Sequence, residues 1–236
     1  MFSNLPLVPL PVHILLKKPN PLSLSVVRVV GLKVAVVCLL SVLVCVSSAD
    51  KLTIRTCGLS AAIAFASALH AYVLFGERQS SCEDEVRVDA LRTSEFSVTL
   101  VLQSLLLTSV AEFADASSNN ILSTHAHALL QTVIVLMFVG ARVTKFKLSF
   151  LLSATALWTL TTVDMLLLVG WPFNKAAEQA REAASVIWAV SLVGLAYPIV
   201  RLTVRTPVRK DVIYGVLDGF CRGGVGLFCC LRATSF

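Results

Sequence analysis

Two apolar stretches of the chain each carry an acid and a base at helical spacing. Asp218 and Arg222 are four residues apart, so both lie on one face of a helix. Arg92 and Glu95 are three residues apart and share a face in the same way. Carboxylates can hold protons or pair with cations, and ionisable groups at membrane depth mark functional sites by default. These four residues are the first candidates for a functional centre.

The elements that carry these residues are predicted to span a membrane. Of the 236 residues, 56% are hydrophobic and 14% are charged, whereas soluble domains are about 25% charged. This composition excludes an ordinary soluble globule, a disordered chain and a disulfide scaffold. Seven apolar runs approach the roughly 20 residues that a spanning helix needs. They cover about 25–48, 53–75, 91–113, 121–141, 148–171, 183–203 and 211–231.

The prediction is an all-α, seven-helix integral membrane protein that crosses the bilayer several times. Residues 1–24 form a proline-rich tail, and residues 25–233 form the membrane domain. A signal peptide cleaved after Ala49 is the alternative for the first run, because small residues end it. The predicted partner is the lipid bilayer, and a homo-oligomer is compatible with the sequence.

Several functions are not indicated by the sequence. Lysines and arginines flank the apolar runs instead of forming a basic stripe, so no nucleic-acid partner is expected. Six of the seven cysteines lie within apolar runs, where cysteine acts as a small hydrophobe; Cys82 is the exception. No zinc-type spacing of cysteine and histidine occurs, and no catalytic set is evident. We therefore expect neither a metal nor an enzyme activity.

Other polar residues in the runs have two interpretations each. Arg92 and Arg201 either snorkel towards the interface or point inward. His70 is interpreted as a core or interfacial histidine more readily than as a proton relay. His125 and His127 are expected to be solvated, with a weak metal pair as the alternative. Asp164 either faces the bundle or marks a break in the fifth run.

Several motifs resemble those of the microbial (type 1) rhodopsins, of which bacteriorhodopsin is one. The seventh run matches the family's V-L-D segment and its later G-x-G-L, with Arg222 in the place of the retinal-binding lysine. The third run is similar through its arginine, carboxylate, aromatic and threonine, and the sixth run has an A-Y-P segment. The matching residues are Arg92, Glu95, Phe96, Thr99, Tyr197, Pro198, Asp218 and Arg222.

The resemblance implies a bacteriorhodopsin-like fold with a retinal pocket at its centre. It places Glu95 and Asp218 at the counterion positions, and Arg92, Phe96, Thr99, Tyr197 and Pro198 in the pocket and charge network. Trp158 is a further candidate pocket aromatic, with ordinary helix packing as the alternative.

Two further positions depart from the family pattern. The proton-donor position of the pumps is Leu106, and a pocket tryptophan is replaced by Gly194. Both departures predict a reshaped pocket that does not pump protons in the ordinary way.

The membrane orientation is contested between two signals. Lysines and arginines are more numerous on the side of the N-terminus, which favours a cytosolic N-terminus. Most type 1 rhodopsins have the reverse orientation, whereas heliorhodopsins, which share the Glu95-Phe96-Ser97 motif, match the charge count.

Arg222 decides among the functional hypotheses. A guanidinium stays protonated and is not a useful nucleophile, so no covalent retinal is expected. The main hypothesis is a rhodopsin-like protein without a covalent cofactor and with a non-photochemical sensory or accessory role. The alternatives are a photoreceptor or light-driven ion transporter that holds retinal non-covalently or through another lysine, such as Lys33 or Lys51, and an unrelated small-solute transporter or channel.

Overall fold

The protein is a bundle of long helices that run back and forth between two faces. The computed structural model describes residues 21–79, 85–113, 124–143, 145–204 and 206–233. Single helices form the first five spans. They are α1 (Pro21–Ser47), α2 (Lys51–Gln79), α3 (Glu85–Phe113), α4 (Thr124–Val143) and α5 (Lys147–Val169).

The sixth and seventh spans are each built from joined segments. A 3-10 turn at Pro172–Asn174 precedes the sixth span, which consists of α6 (Glu178–Gly194) and α7 (Ala196–Thr203). The seventh span consists of α8 (Pro207–Asp218), a π-helical turn (Gly219–Gly224) and α9 (Val225–Ala233). The break at Pro172 follows from the missing N–H of proline, which suits the first turn of a helix and not its interior. The described chain therefore forms the predicted seven-helix bundle.

The helices have the length and composition of membrane-spanning segments. Six of the described helices are long and apolar enough to cross a bilayer, from Arg28–Ser47 to Arg209–Arg232. The fourth differs from the prediction, because its apolar part is only Leu129–Ala141. Polar His127 and Gln131 occupy its first turns, although the twenty residues of α4 still extend about 30 Å at 1.5 Å per residue. The protein is an integral membrane protein with several crossings.

The bundle is closed by contacts between its first and last spans. Consecutive helices from α1 to α5 pack against each other, and α8 and α9 pack against α1. Gly226 permits this approach, because a Cβ atom there would lie 2.6 Å from Val37 Cγ1. One buried apolar cluster includes Leu106, Ile187 and Val225 from the third, sixth and seventh spans, and residues of the second and fifth spans join it.

Two terminal features refine the expected boundaries. The first helix begins at Pro21, so the last four residues of the predicted tail form its first turn. Residues 1–20, together with Cys82 and the loop before α4, lie outside the described part of the chain. The turn between α1 and α2 is capped by Asp50, whose Oδ2 accepts a 2.7 Å hydrogen bond from the N–H of Thr53.

Candidate functional site

The centre of the bundle holds an ion-pair cluster formed by Arg222, Glu95 and Asp218, which we call the central cluster. The guanidinium Nη1 of Arg222 pairs with the Oε1 atom of Glu95, and Nη2 lies 3.4 Å from Oδ1 of Asp218. The Arg222 side chain is 4% exposed and that of Glu95 is 8% exposed. Both carboxylates predicted at the counterion positions thus contact the residue at the predicted lysine position.

Hydroxyl groups from neighbouring helices complete the central cluster. Ser67 on α2 accepts a 3.0 Å hydrogen bond from Nη1 of Arg222 and donates one of 3.0 Å to Oε1 of Glu95. Tyr197 on α7 donates a 2.5 Å hydrogen bond to Oδ1 of Asp218. Charge-assisted hydrogen bonds of this kind are the stronger class. Groups from four spans therefore hold one guanidinium in place.

The π-helical turn positions the cluster's cation. Arg222 lies inside the Gly219–Gly224 turn, while Asp218 ends the preceding α8. The turn contains Gly219, Gly223 and Gly224, and π-helical turns are frequent at functional sites. On α3, the hydroxyl of Thr99 donates a 2.9 Å bond to the backbone carbonyl of Glu95. Thr99 is fully buried, so this back-bond satisfies its hydroxyl within its own helix.

A second ion pair joins Arg92 to Asp211. The side chain of Asp211 is fully buried, and that of Arg92 is 16% exposed. The guanidinium of Arg92 also lies 5.7 Å from the ring centroid of Tyr214. Arg92 thus points inward, which decides between the two interpretations of this residue. The sequence analysis missed Asp211, although it directly follows the basic turn and begins the last apolar run.

The acids and bases of this region balance. Among the described residues in or beside the centre, three arginines are matched by three carboxylates: Arg92, Arg201 and Arg222 against Glu95, Asp211 and Asp218. Arg201 also points inward, since its guanidinium lies 5.4 Å from the ring centroid of Phe138. Inward orientation therefore holds for both arginines for which snorkelling was the alternative.

Aromatic side chains form a wall beside the central cluster. The ring centroid of Phe96 lies 5.3 Å from that of Trp158 and 6.0 Å from that of Tyr197. Trp158 and Tyr197 stack with their centroids 6.2 Å apart. Phe138 packs edge-on against Phe96 at 5.9 Å. The predicted pocket aromatics are thus brought together, and α4 adds a residue that the sequence analysis did not select.

Two cavities meet at this wall and at Arg222. The His70 cavity, named after a residue that lines it, offers about 100 Å³ to the centres of water molecules and is also lined by Pro198 and Arg201. The Gln131 cavity offers about 60 Å³ and is also lined by Gly194. Phe96, Trp158, Tyr197 and Arg222 line both. The site therefore consists of two chambers with a charged and aromatic partition.

A separate acid–base pair links α4 and α5. The Nε2 atom of His127 lies 2.9 Å from Oδ2 of Asp164. The expectation that His127 is solvated is wrong, because its side chain is only 1% exposed. Asp164 faces the bundle, as one of its two interpretations required. The side chain of His125 is outside the described set.

The remaining predicted positions have simple surroundings. Leu106, at the predicted proton-donor position, is 2% exposed within the apolar core. The described cysteines are unpaired thiols. Among the described residues, no group of histidine, cysteine and acidic side chains is arranged to hold a metal ion.

Comparisons with known proteins identify the architecture. No protein-family model matches the chain, and no curated protein matches it in sequence. Solved structures do match. A light-driven proton pump from Leptosphaeria maculans has a TM-score of 0.72 at 13% identity, over 92% of this chain and 98% of that one. The proton-pumping rhodopsin AR2 from Acetabularia acetabulum has a TM-score of 0.68 at 13% identity, over 92% and 96%.

A third match comes from a rhodopsin that moves a different ion. Halorhodopsin, a light-driven chloride pump, has a TM-score of 0.70 at 13% identity, over 92% of this chain and 98% of that one. Identities this low establish the architecture and leave the activity open. By its helix order and these superpositions, the chain has the fold of the microbial rhodopsins.

Proposed function

We propose that the protein is a rhodopsin-fold membrane protein that forms no covalent bond to retinal and has a non-photochemical sensory or accessory role. One observation carries this proposal: Arg222 is held by Glu95 and Asp218 in the interior of the bundle. In this proposal Arg222 stands at the position of the retinal-binding lysine. The cluster is then a permanent ion pair in place of a light-sensitive one.

The chemistry of the guanidinium supports this interpretation. A Schiff base forms when a neutral primary amine attacks an aldehyde and water leaves. Buried lysine can lose its proton and serve as that amine. Arginine remains protonated in proteins and has no free amine. Glu95 and Asp218 favour the charged form further, since an opposite charge close by stabilises a cation. Residue 222 therefore does not fit covalent retinal.

Attachment through another lysine finds little support. The described residues that line the two cavities include no lysine. Lys33 and Lys51, the candidates from the sequence, are both exposed on the described helices. Retinal bound without a covalent link remains the competing hypothesis, and it requires a pigment held by contacts in the cavities alone.

A light-driven pump is the activity of the structural neighbours and a second hypothesis for this chain. Two of those neighbours are a light-driven proton pump and a light-driven chloride pump. Here the third-span position predicted for a proton donor is the buried hydrocarbon of Leu106. A side chain without an ionisable group cannot relay a proton, which favours the non-pumping proposal.

The decisive experiment is an absorbance spectrum of the protein expressed with and without all-trans retinal. We expect no visible band from the wild-type protein. The Arg222→Lys variant is expected to gain one, since lysine can supply the missing amine beside the same two carboxylates.

The controls separate covalent from non-covalent pigment. Hydroxylamine cleaves a Schiff base, so a hydroxylamine-sensitive band in the wild-type protein would overturn the proposal. Borohydride distinguishes the two modes of binding: it reduces a Schiff base to a secondary amine that stays on the protein, whereas it reduces the free aldehyde of non-covalent retinal to an alcohol that leaves when the protein is denatured. Flux measurements on the same preparations in liposomes, in light and in darkness, test the pump and the small-solute transporter together.

A further inference from the structure

Two residues that line the Gln131 cavity each have a buried polar atom that the described part of the protein leaves without a hydrogen-bond partner. Among the described residues, neither Nε of Arg222 nor Oε1 of Gln131 makes a hydrogen bond. The two residues are 6% and 7% exposed. A buried polar group without a partner costs about 1–3 kcal/mol, so native proteins rarely leave one unsatisfied. Both atoms therefore call for a partner from outside the protein.

The hydrogen bonds around Gln131 fix which of its amide atoms is free. The hydroxyl of Thr161 donates to the carbonyl oxygen of Trp158 at 2.9 Å. It can then only accept from the Gln131 amide, whose Nε2 lies 3.3 Å away. The carbonyl oxygen of Gln131 is thereby left as a free acceptor. Arg222 supplies a free N–H donor at its Nε atom. Its Nη1 and Nη2 atoms are already engaged by carboxylates.

The space between these groups is large enough for a small molecule. A water molecule needs about 10–15 Å³ by this measure, and an engineered cavity of about 150 Å³ in another protein admits benzene. The 60 Å³ of the Gln131 cavity thus falls between a single water and a benzene ring. Gly194 contributes to this space, since a Cβ atom there would meet nothing within 4 Å.

The charges around the cavity favour an uncharged occupant. Of the described residues that line it, Arg222, His127 and Tyr197 are titratable, and the Tyr197 hydroxyl donates to Asp218. Arg222 is compensated by Glu95 and Asp218, and His127 is paired with Asp164. An anion would face two carboxylates just behind the guanidinium, and a cation would face the guanidinium itself. Burying either ion without a counterion is costly.

We propose that the Gln131 cavity is a binding site for a small uncharged molecule that accepts a hydrogen bond from Arg222 and donates one to Gln131. An amide of a few heavy atoms has this chemistry, with its carbonyl and N–H groups on opposite ends. Water also donates and accepts, and it fills the site when no solute is bound. The inference rests on the proposed function in one respect: retinal held in the same cavities would displace this occupant, so the titrations use protein prepared without retinal.

Three probes of one shape test the proposal. Formamide, formate and formamidinium have the same number of heavy atoms and are neutral, negative and positive. Each is titrated against the full-length protein in nanodiscs, and saturation transfer from protein to the carbon-bound proton of the probe is measured by NMR. We expect a saturable signal for formamide and little signal for the two ions.

Three variants locate the signal. Gly194→Leu places a side chain in the cavity and should abolish formamide binding. Gln131→Leu removes the acceptor and should weaken binding roughly threefold to tenfold, which is the usual worth of a hydrogen bond. Gly76→Leu is the matched control, because Gly76 also has open space around it but is exposed on α2. This variant should bind formamide as the wild-type protein does.

Other outcomes of these titrations would contradict the proposal. Equal signals from all three probes, or a formamide signal that survives in both Gly194→Leu and Gln131→Leu, would overturn the proposal. Absence of saturable transfer to formamide would mean that water alone occupies the cavity and would overturn it as well.

Discussion

The bundle contains two kinds of acid–base pair that differ in how completely they are enclosed. In the central cluster, both Arg222 and Glu95 have side chains less than 10% exposed. In the pair between α4 and α5, His127 is 1% exposed but Asp164 is 36% exposed. The first arrangement joins distant parts of the sequence, and the second joins neighbouring helices. The comparison shows that similar chemistry is placed in two very different environments.

Enclosure determines what happens when one partner is lost. A charge left alone in the interior keeps its desolvation cost and has nothing to offset it. A partly exposed carboxylate is packed less tightly and has room to reorient once its partner is gone. The net stability that an intact buried ion pair adds can still be near zero. The two regions should therefore differ much more in the stability lost when one partner is removed than in the stability that the intact pairs add to the native protein.

Removal of the central cation should have the largest effect. Arg222→Met leaves Glu95 and Asp218 facing each other without a counterion, and we expect a loss of about 3–5 kcal/mol in the free energy of unfolding. Unfolding by sodium dodecyl sulfate in mixed micelles, followed by circular dichroism, measures this loss. The triple variant Arg222→Met with Glu95→Gln and Asp218→Asn should recover most of it. A single variant as stable as the wild-type protein would contradict the enclosed ion pair.

Loss of the half-exposed pair should have a smaller effect. His127→Leu removes the imidazole that lies 2.9 Å from Asp164, and we expect a loss of about 1 kcal/mol, since the partly exposed Asp164 has room to reorient. A double-mutant cycle with Asp164→Asn, measured by the same unfolding assay, gives the coupling energy. A coupling energy as large as that of the central cluster would show that exposure does not separate the two regions.

The exposed cap of α2 extends the comparison to a carboxylate at the surface. Hydrogen bonds from Thr53, above all from its backbone N–H, lower the pKa of Asp50 below its ordinary value. A lowered pKa in the folded state stabilises the fold at neutral pH. This contribution is lost as the pH falls from the unfolded pKa through the folded one.

The variant that tests this cap is Asp50→Asn, which keeps an oxygen acceptor but does not titrate there. Unfolding midpoints of the two proteins should converge as the pH is lowered from about 5. The wild-type protein should be slightly more stable at neutral pH. Parallel pH profiles for the two proteins would show that the cap does not depend on the charge of Asp50.

Most of the fold could be predicted because hydrophobic runs report membrane spans directly. Six described helices have the expected length and hydropathy. The fourth span was predicted as the run 121–141, with His127 solvated at its start, whereas its apolar part begins only at Leu129. Periodicity cannot distinguish a polar residue that faces a cavity from one that faces water. That is why His127 was predicted to be exposed.

The candidate site could be predicted only where its partners share a helix or a family motif. Asp218 and Arg222 are four residues apart, so their contact follows from helical spacing. The pairing of Arg92 with Asp211 joins residues on different spans, and no local pattern encodes it. The Gln131 cavity depends on side chains from several helices, and the missing side chain of Gly194 was the one visible sign of it.

The π-helical turn at Gly219–Gly224 determines how α8 and α9 are rotated relative to each other about the axis of the seventh span. Each residue of a regular helix advances the direction of the side chains by about 100°. A wider turn contains one residue more than an α-helical turn would, so it resets the rotational phase between α8 and α9. The face of α8 that carries Asp211 and Asp218 and the face of α9 that carries Val225 and Cys229 are thereby set independently. Conversion of this segment into a regular α-helix would rotate α9 relative to α8 by about a quarter of a revolution.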